Sequence, residues 1–258
     1  MAYLGRTRRF GAIVGTAVVA GAGLGALGSP AATAATPATE SRPVAPVPVV
    51  LGPTPAQPTL VPGSPAPTSG GIHASSATSS FVVNYDAGFN ANPAAKAAFQ
   101  YAVNQWSNLV SSSVPIVIDA SFTGLGPGVL GSAGPDNAYR NFPGAPQAGT
   151  WYPVALANSL AGVDLDTSRA DIDAQFSSSF PSFYFGTDGN TAGKVDFASV
   201  VLHELGHGLG FLGIMNVTSG IGTCCEGSGS PFIFDRFTTS NGTSLLSFPD
   251  NSSALAGA

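Results

Sequence analysis

The sequence predicts an α+β domain: a mixed, twisted sheet, a long backing helix, and a second helix carrying paired histidines. Three observations predict it. Short segments of alternating hydrophobicity are interleaved with longer segments of helical period. One helical segment holds a His-Glu-x-x-His run. Glycine and proline, 33 and 21 of the 258 residues, are unevenly distributed and divide the chain.

The elements follow in order. Phe81, Val83 and Tyr85 alternate with Val82 and Asn84, a strand period. Asn92-Pro93 marks a helix start, with Asn at the cap and Pro at the first helical position. Phe99, Ala102, Val103, Trp106, Leu109 and Val110 then make one apolar stripe, and Pro115 ends the helix. Ile116, Ile118, Ala120 and Phe122 give a second strand. Gly124 to Gly134 is glycine-rich around a short apolar piece, Val129-Leu130, and 135–150 reads as surface loop. Val154–Val163 fits a short helix. Ala170, Ile172, Ala174 and Phe176 alternate with Asp171, Asp173 and Gln175, a strand with one wet face. Ser177–Asn190 reads as loop, with Phe183-Tyr184-Phe185 as a short strand inside it.

Composition narrows the function. Charged residues are 9% of the chain, against roughly 25% in an average globular protein. Hydrophobic residues reach 44%, enough for a sizeable core. A net charge of −5 argues against nucleic acid or an anionic membrane as partner, since both select clustered Lys and Arg. Two cysteines cannot build a disulfide scaffold.

Residues 1–34 read as an export signal: Arg6, Arg8 and Arg9, then an uncharged Ala/Val/Gly run from Ala12 to Leu27, then Ala32-Thr33-Ala34 before the cut. The apolar run is shorter than the ~20 residues of a membrane span. The mature protein is therefore expected to be secreted and free of the membrane, with its net charge taken from −5 to −8 by the loss of three Arg. Residues 35–78, dense in proline from Pro37 to Pro67, read as a solvated linker or propeptide remnant. The catalytic domain is expected over 79–258. The chain ends soon after Leu245-Leu246-Ser247-Phe248, which reads as an interrupted domain.

The informative stretch runs from Val195 to Gly210. Asp196 can cap a helix start. Ala198, Val201, Leu202, Leu205 and Leu209 fall on one face. His203 and His207, four apart, lie about 40° from each other on the opposite side, so two imidazoles can reach one cation. Neutral imidazole suits Zn²⁺, which lowers the pKa of a bound water towards about 7. Glu204 is placed to take that water's proton and pass it to a leaving amine.

The run His203-Glu204-Leu205-Gly206-His207-Gly208-Leu209-Gly210 resembles the metzincin zinc peptidases, whose motif continues to a glycine three residues after the second His. The resemblance covers about residues 79–215. It implies a metzincin or zincin-like fold, Zn²⁺ as cofactor, a protein or peptide substrate, and Ala170–Phe176 as the edge strand along which that substrate lies. It departs from the family at two points. The third ligand would fall at Gly213, which has no side chain, and Met215 comes too early for the family's methionine turn. A third ligand is then expected to be a carboxylate: Asp235, within an apolar Pro231–Phe237 segment, ahead of Glu226, Asp250 or a residue missing downstream.

Other features have plainer readings. Asp164, Asp166, Asp171, Asp173 and Asp188 form an oxygen-rich run of the type calcium takes, though solvated acids on a wet face explain it more simply. Adjacent Cys224 and Cys225 are open to oxidation, with each other or with partners elsewhere, and a thiolate zinc site is a further alternative. His73 reads as a solvent-exposed linker residue. The expectation is an exported zinc endopeptidase with metal ligands His203, His207 and Asp235 and catalytic Glu204. The alternative is a non-catalytic exported binding or adhesion module. Sequence leaves the oligomeric state open.

Overall fold

A computed structural model describes residues 38–50, 79–225 and 229–258. The described residues belong to one compact unit, Pro37–Ala258. The expected export signal lies outside them.

The elements run β1 (Glu40–Pro43), β2 (Val47–Val50), β3 (Phe81–Tyr85), α1 (Ala87–Ala91), α2 (Pro93–Leu109), β4 (Ile116–Thr123), β5 (Val129–Pro135), β6 (Asn137–Arg140), β7 (Tyr152–Pro153), α3 (Val154–Ala161) and β8 (Ile172–Ser177). They continue with β9 (Phe183–Tyr184), β10 (Val195–Asp196), α4 (Phe197–Leu209) and a hairpin of β11 (Asn216–Thr218) and β12 (Ile221–Thr223). A second hairpin, β13 (Thr239–Ser240) and β14 (Thr243–Ser244), and a short helix, α5 (Ser253–Ala256), follow.

Five strands form the main sheet in the order β2-β5-β8-β4-β3. β3, β4 and β8 are parallel, and β5 and β2 run antiparallel to their neighbours. The parallel crossover from β3 to β4 is made by α1 and α2. Asp86 caps α1, its carboxylate accepting from the Phe89 N–H at 2.8 Å, and Asn92 caps α2 by accepting from Ala95 N–H at 3.1 Å. One face of the sheet is covered by α2 and α4. There Phe89, Phe99, Phe176 and Phe197 meet with neighbouring ring centroids 5.2 to 6.4 Å apart, around Ile118, Ile172, Val201 and Leu205. Each such fully buried side chain contributes about 1.5–3 kcal/mol. The other face is wet, with Asp119, Asp173 and Gln175 outward.

Three expectations are corrected here. Ala170–Phe176 is not an edge strand: β8 lies between β4 and β5, both its hydrogen-bonding edges taken. The neighbour that displaces it from the edge is the glycine-rich stretch, which folds as β5. Glycine makes room there: a Cβ on Gly131 would stand 2.8 Å from the Phe176 ring, and one on Gly134 would stand 3.0 Å from Pro46 Cα. Second, 135–150 is not simply surface. β6 pairs with β1 and β7, and Tyr139, Phe142 and Tyr152 are buried together, with the last two rings 5.3 Å apart. Third, the stretch read as linker holds β1 and β2. Proline does not exclude them, because β2 is an outer strand where Pro48 need not donate.

Asp171 shows how the sheet's end is tied. Buried at 4% exposure, it accepts from Val117 N–H at 2.7 Å and from the Asn158 amide at 2.8 Å. Burial outweighs these bonds and pushes its carboxyl up to about 6 from 3.8. An acid whose folded pKa is raised binds its proton more tightly when folded. Its stabilising contribution is fully present below pH 3.8 and is lost as pH rises through about 6. Between pH 8 and pH 5 the gain from this group is on the order of 1 kcal/mol. Urea titrations of the wild type and Asp171→Asn at the two pH values should show the variant losing that part of the difference.

Candidate functional site

The site is built on α4. Phe197, Val201 and Leu205 hold the helix on the sheet, and the Trp106 indole of α2 donates to the Leu202 carbonyl at 3.1 Å. Asp196 stands at the N-cap, but its carboxylate takes the Ser199 hydroxyl rather than a backbone N–H. The glycines of the helix have separate reasons. A Cβ on Gly208 would come within 2.6 Å of Ile172 Cγ2, so the helix can approach β8 only with glycine there. Gly210 ends the helix at φ +124° and donates to the carbonyls of Gly206 and His207. At Gly206 a Cβ would meet Trp106 at 3.6 Å and Phe211 at 3.9 Å, both ordinary contacts.

His203 and His207 are brought together as the spacing predicts. Their rings stand at 89° with centroids 4.7 Å apart, and the two Nε2 atoms are 3.1 Å apart. The ring nitrogen Nδ1 of His207 lies 2.8 Å from the Phe211 carbonyl. A carbonyl only accepts, so Nδ1 carries the proton and Nε2 keeps its lone pair. Burial, and then the neighbouring His207, hold the His203 imidazole below its usual pKa, which favours the neutral, ligating form.

Glu204 is fully buried. Its Oε2 accepts from the Ala133 N–H of β5 at 2.7 Å, and Oε1 has no partner. Burial pushes this carboxyl up to about 7, partly offset by the Ala133 bond. An acid at that value exchanges its proton near neutral pH. Nothing in the glycine-rich sequence pointed to Ala133 as its partner.

Asp235 is not joined to the pair. At 1% exposure it accepts from Ile214 N–H at 3.1 Å, from Phe232 N–H at 3.0 Å and from the Met215 backbone. Those amides use the oxygens that a metal would need. A Cβ on residue 213 would stand 2.5 Å from Asp235 Oδ1, so Gly213 leaves the space this carboxylate fills. Asp250 accepts from Cys224 N–H at 2.7 Å, and Glu226 lies outside the described residues. Among the described residues no three His, Cys, Asp or Glu side chains gather into a metal-sized group. Of the acids weighed for calcium, Asp164 and Asp166 bind turn amides, and Asp188 takes the Tyr184 hydroxyl. Cys224 and Cys225 are bonded to each other. Among the described residues no helix is long and apolar enough to cross a membrane.

Residues 74–219 match the family model described as SPBPB7E8-like, and the chain belongs to that family. A similar protein is the "Uncharacterized protein PB7E8.01" of Schizosaccharomyces pombe (strain 972 / ATCC 24843), 34% identical over 121 residues. The match takes in 42% of this chain and 21% of that protein, so the chain spans about a fifth of its relative's length. No solved structure matches. The metzincin assignment is corrected accordingly: the stretch that carried it, 79–215, falls within the SPBPB7E8-like family.

Two sets of variants test this construction. Gly208→Ala should cost about 1–3 kcal/mol by driving a methyl into Ile172, while Gly206→Ala should gain up to about 1 kcal/mol. Asp235→Asn should lower stability by about 1–3 kcal/mol, because one amide N–H then faces an NH₂ group. It should change zinc affinity less than tenfold. Denaturant titration and zinc titration of each variant read these effects separately.

Proposed function

We propose that the protein is an exported zinc-dependent hydrolase of peptide bonds, with His203 and His207 as metal ligands and Glu204 as general base. One observation carries this reading: two imidazole Nε2 atoms converge within 3.1 Å on a helix whose residue 204, next in sequence to the first of them, is a buried glutamate with an unpartnered oxygen. Ligands about 2.0–2.1 Å from a tetrahedral ion lie about 3.4 Å from each other, so the pair needs little movement to hold zinc. The donor set therefore fits at two positions, and the described residues supply no third.

When bound, zinc supplies a Lewis acid that polarises a carbonyl and makes water acidic. The protein's own residues do the rest. The Phe211 carbonyl fixes the tautomer and orientation of His207. Oε1 of Glu204, having no partner, is free to take a proton from a water molecule, and the pKa near 7 lets it return that proton to a departing amine. The Ala133 N–H holds the other oxygen still while this happens.

A non-catalytic exported binding module is favoured by a different observation. Glu204 is 0% exposed and links α4 to β5, a role that needs no chemistry. Zinc content and hydrolysis of labelled casein by the purified mature protein separate the two. Under the hydrolase reading Glu204→Gln retains zinc and loses activity by 100-fold or more, while His203→Ala loses zinc. Full activity in Glu204→Gln rules the general-base role out, and zinc-free, inert wild type supports the module.

A further inference from the structure

β5 is the strand whose Ala133 N–H binds Glu204, and its outer edge is the one facing away from β8. In the structure that edge is taken by the chain's own β2. Val47 stands opposite Ala133, Pro48 opposite Ser132 and Val49 opposite Gly131, with a bulge before Val50. Ala133 is the residue whose N–H holds Glu204. The approach to this edge is fastened by several contacts. Glu40 accepts from Arg140 at 2.5 Å. The Arg42 guanidinium lies 5.6 Å from the Trp151 ring centre and 5.5 Å from that of Phe232. Val44 packs against the buried cluster of Ala138, Trp151, Leu212 and Phe232, which includes the loop that follows α4.

We propose that Glu40–Val50 is an intramolecular plug: its strand occupies the β5 edge on which an extended peptide would be held, and it must leave before a peptide binds. The inference rests on the hydrolase reading for the identity of that peptide, though not for the pairing itself. Three further observations favour a displaceable segment over a fixed strand. The family match begins at residue 74, so β1 and β2 lie outside the shared unit. The strand is only four residues long and its pairing is interrupted by the bulge before Val50, so its ladder is short. Pro46 and Pro48 flank Val47, the residue opposite Ala133, and proline rings on both sides make that backbone a poor substrate.

The test locks and loosens the segment in the mature chain. Pro48→Cys with Ser132→Cys places two thiols at opposed positions, within the ~4.4–6.8 Å Cα range of a disulfide. Glu40→Ala with Arg42→Ala removes the anchors. The probe is a fluorescent peptide with the sequence of residues 38–50, its binding followed by polarisation, with labelled casein hydrolysis measured alongside. Wild type under the same oxidant and reductant is the control. The loosened variant should bind the peptide at least tenfold more tightly than wild type. The oxidised lock should abolish binding, and reductant should restore it. The plug is overturned if the two cysteines do not cross-link, if the loosened variant binds no better, or if the locked variant binds or cleaves like wild type. If binding follows the lock but no form cleaves casein, the plug stands and the hydrolase reading fails.

Discussion

The distance between α4 and the sheet governs this structure. A methyl group on Gly208 would collide with Ile172, so the helix sits closer to β8 than an ordinary residue allows. That approach places Glu204 within hydrogen-bond reach of Ala133 on the next strand. His203 and His207 stand one turn apart on the same helix, the first exposed and the second half-buried. The core residues Val201 and Leu205 supply the affinity between helix and sheet, and the glycine sets how near they come.

The same contact explains an electrostatic oddity. In a chain with so few charges, three acids, Asp171, Glu204 and Asp235, are almost wholly buried. None of the three has a cationic partner; each is held by amide N–H groups, from the backbone for Glu204 and Asp235 and from Val117 and the Asn158 side chain for Asp171. Amides hold a carboxylate in position but only partly offset desolvation, so all three carboxyls are raised. Asp171 and Asp235 have both oxygens bonded and serve as knots between segments. Glu204 differs in keeping one oxygen free. That difference, rather than burial or pKa alone, separates a candidate base from two structural acids.

Much of the fold was legible where local pattern and tertiary role agree. The strand at Phe81–Tyr85, the helix from Pro93, the strand from Ile116 and the helix at Val154 carry period, cap and breaker in the sequence itself. The pair His203 and His207 was legible because helical geometry alone fixes their separation. What was not legible depends on neighbours. β5 has glycines because Phe176 and Pro46 press on it, and a glycine-rich run reads locally as loop. β1 and β2 are strands only because β6 and β5 offer edges; their prolines speak against them. Asp235 was read as a ligand because a charge among apolar neighbours needs partners. The partners are backbone amides of residues 214, 215 and 232, which side-chain identity does not reveal.

Gly213 ties these points together. The loop leaving α4 turns at Gly210 and must pass Asp235, whose carboxylate organises the amides at 214 and 215. A side chain at 213 would compete with that carboxylate for the same volume. The loop can therefore present a ligand from position 213 or be knotted by Asp235, but not both. This chain has the knot. The exit begins with the Phe211 carbonyl against His207 and is tied further along the chain by Asp235 at residues 214 and 215. The buried acid thus fixes the course of the loop while itself staying out of the site.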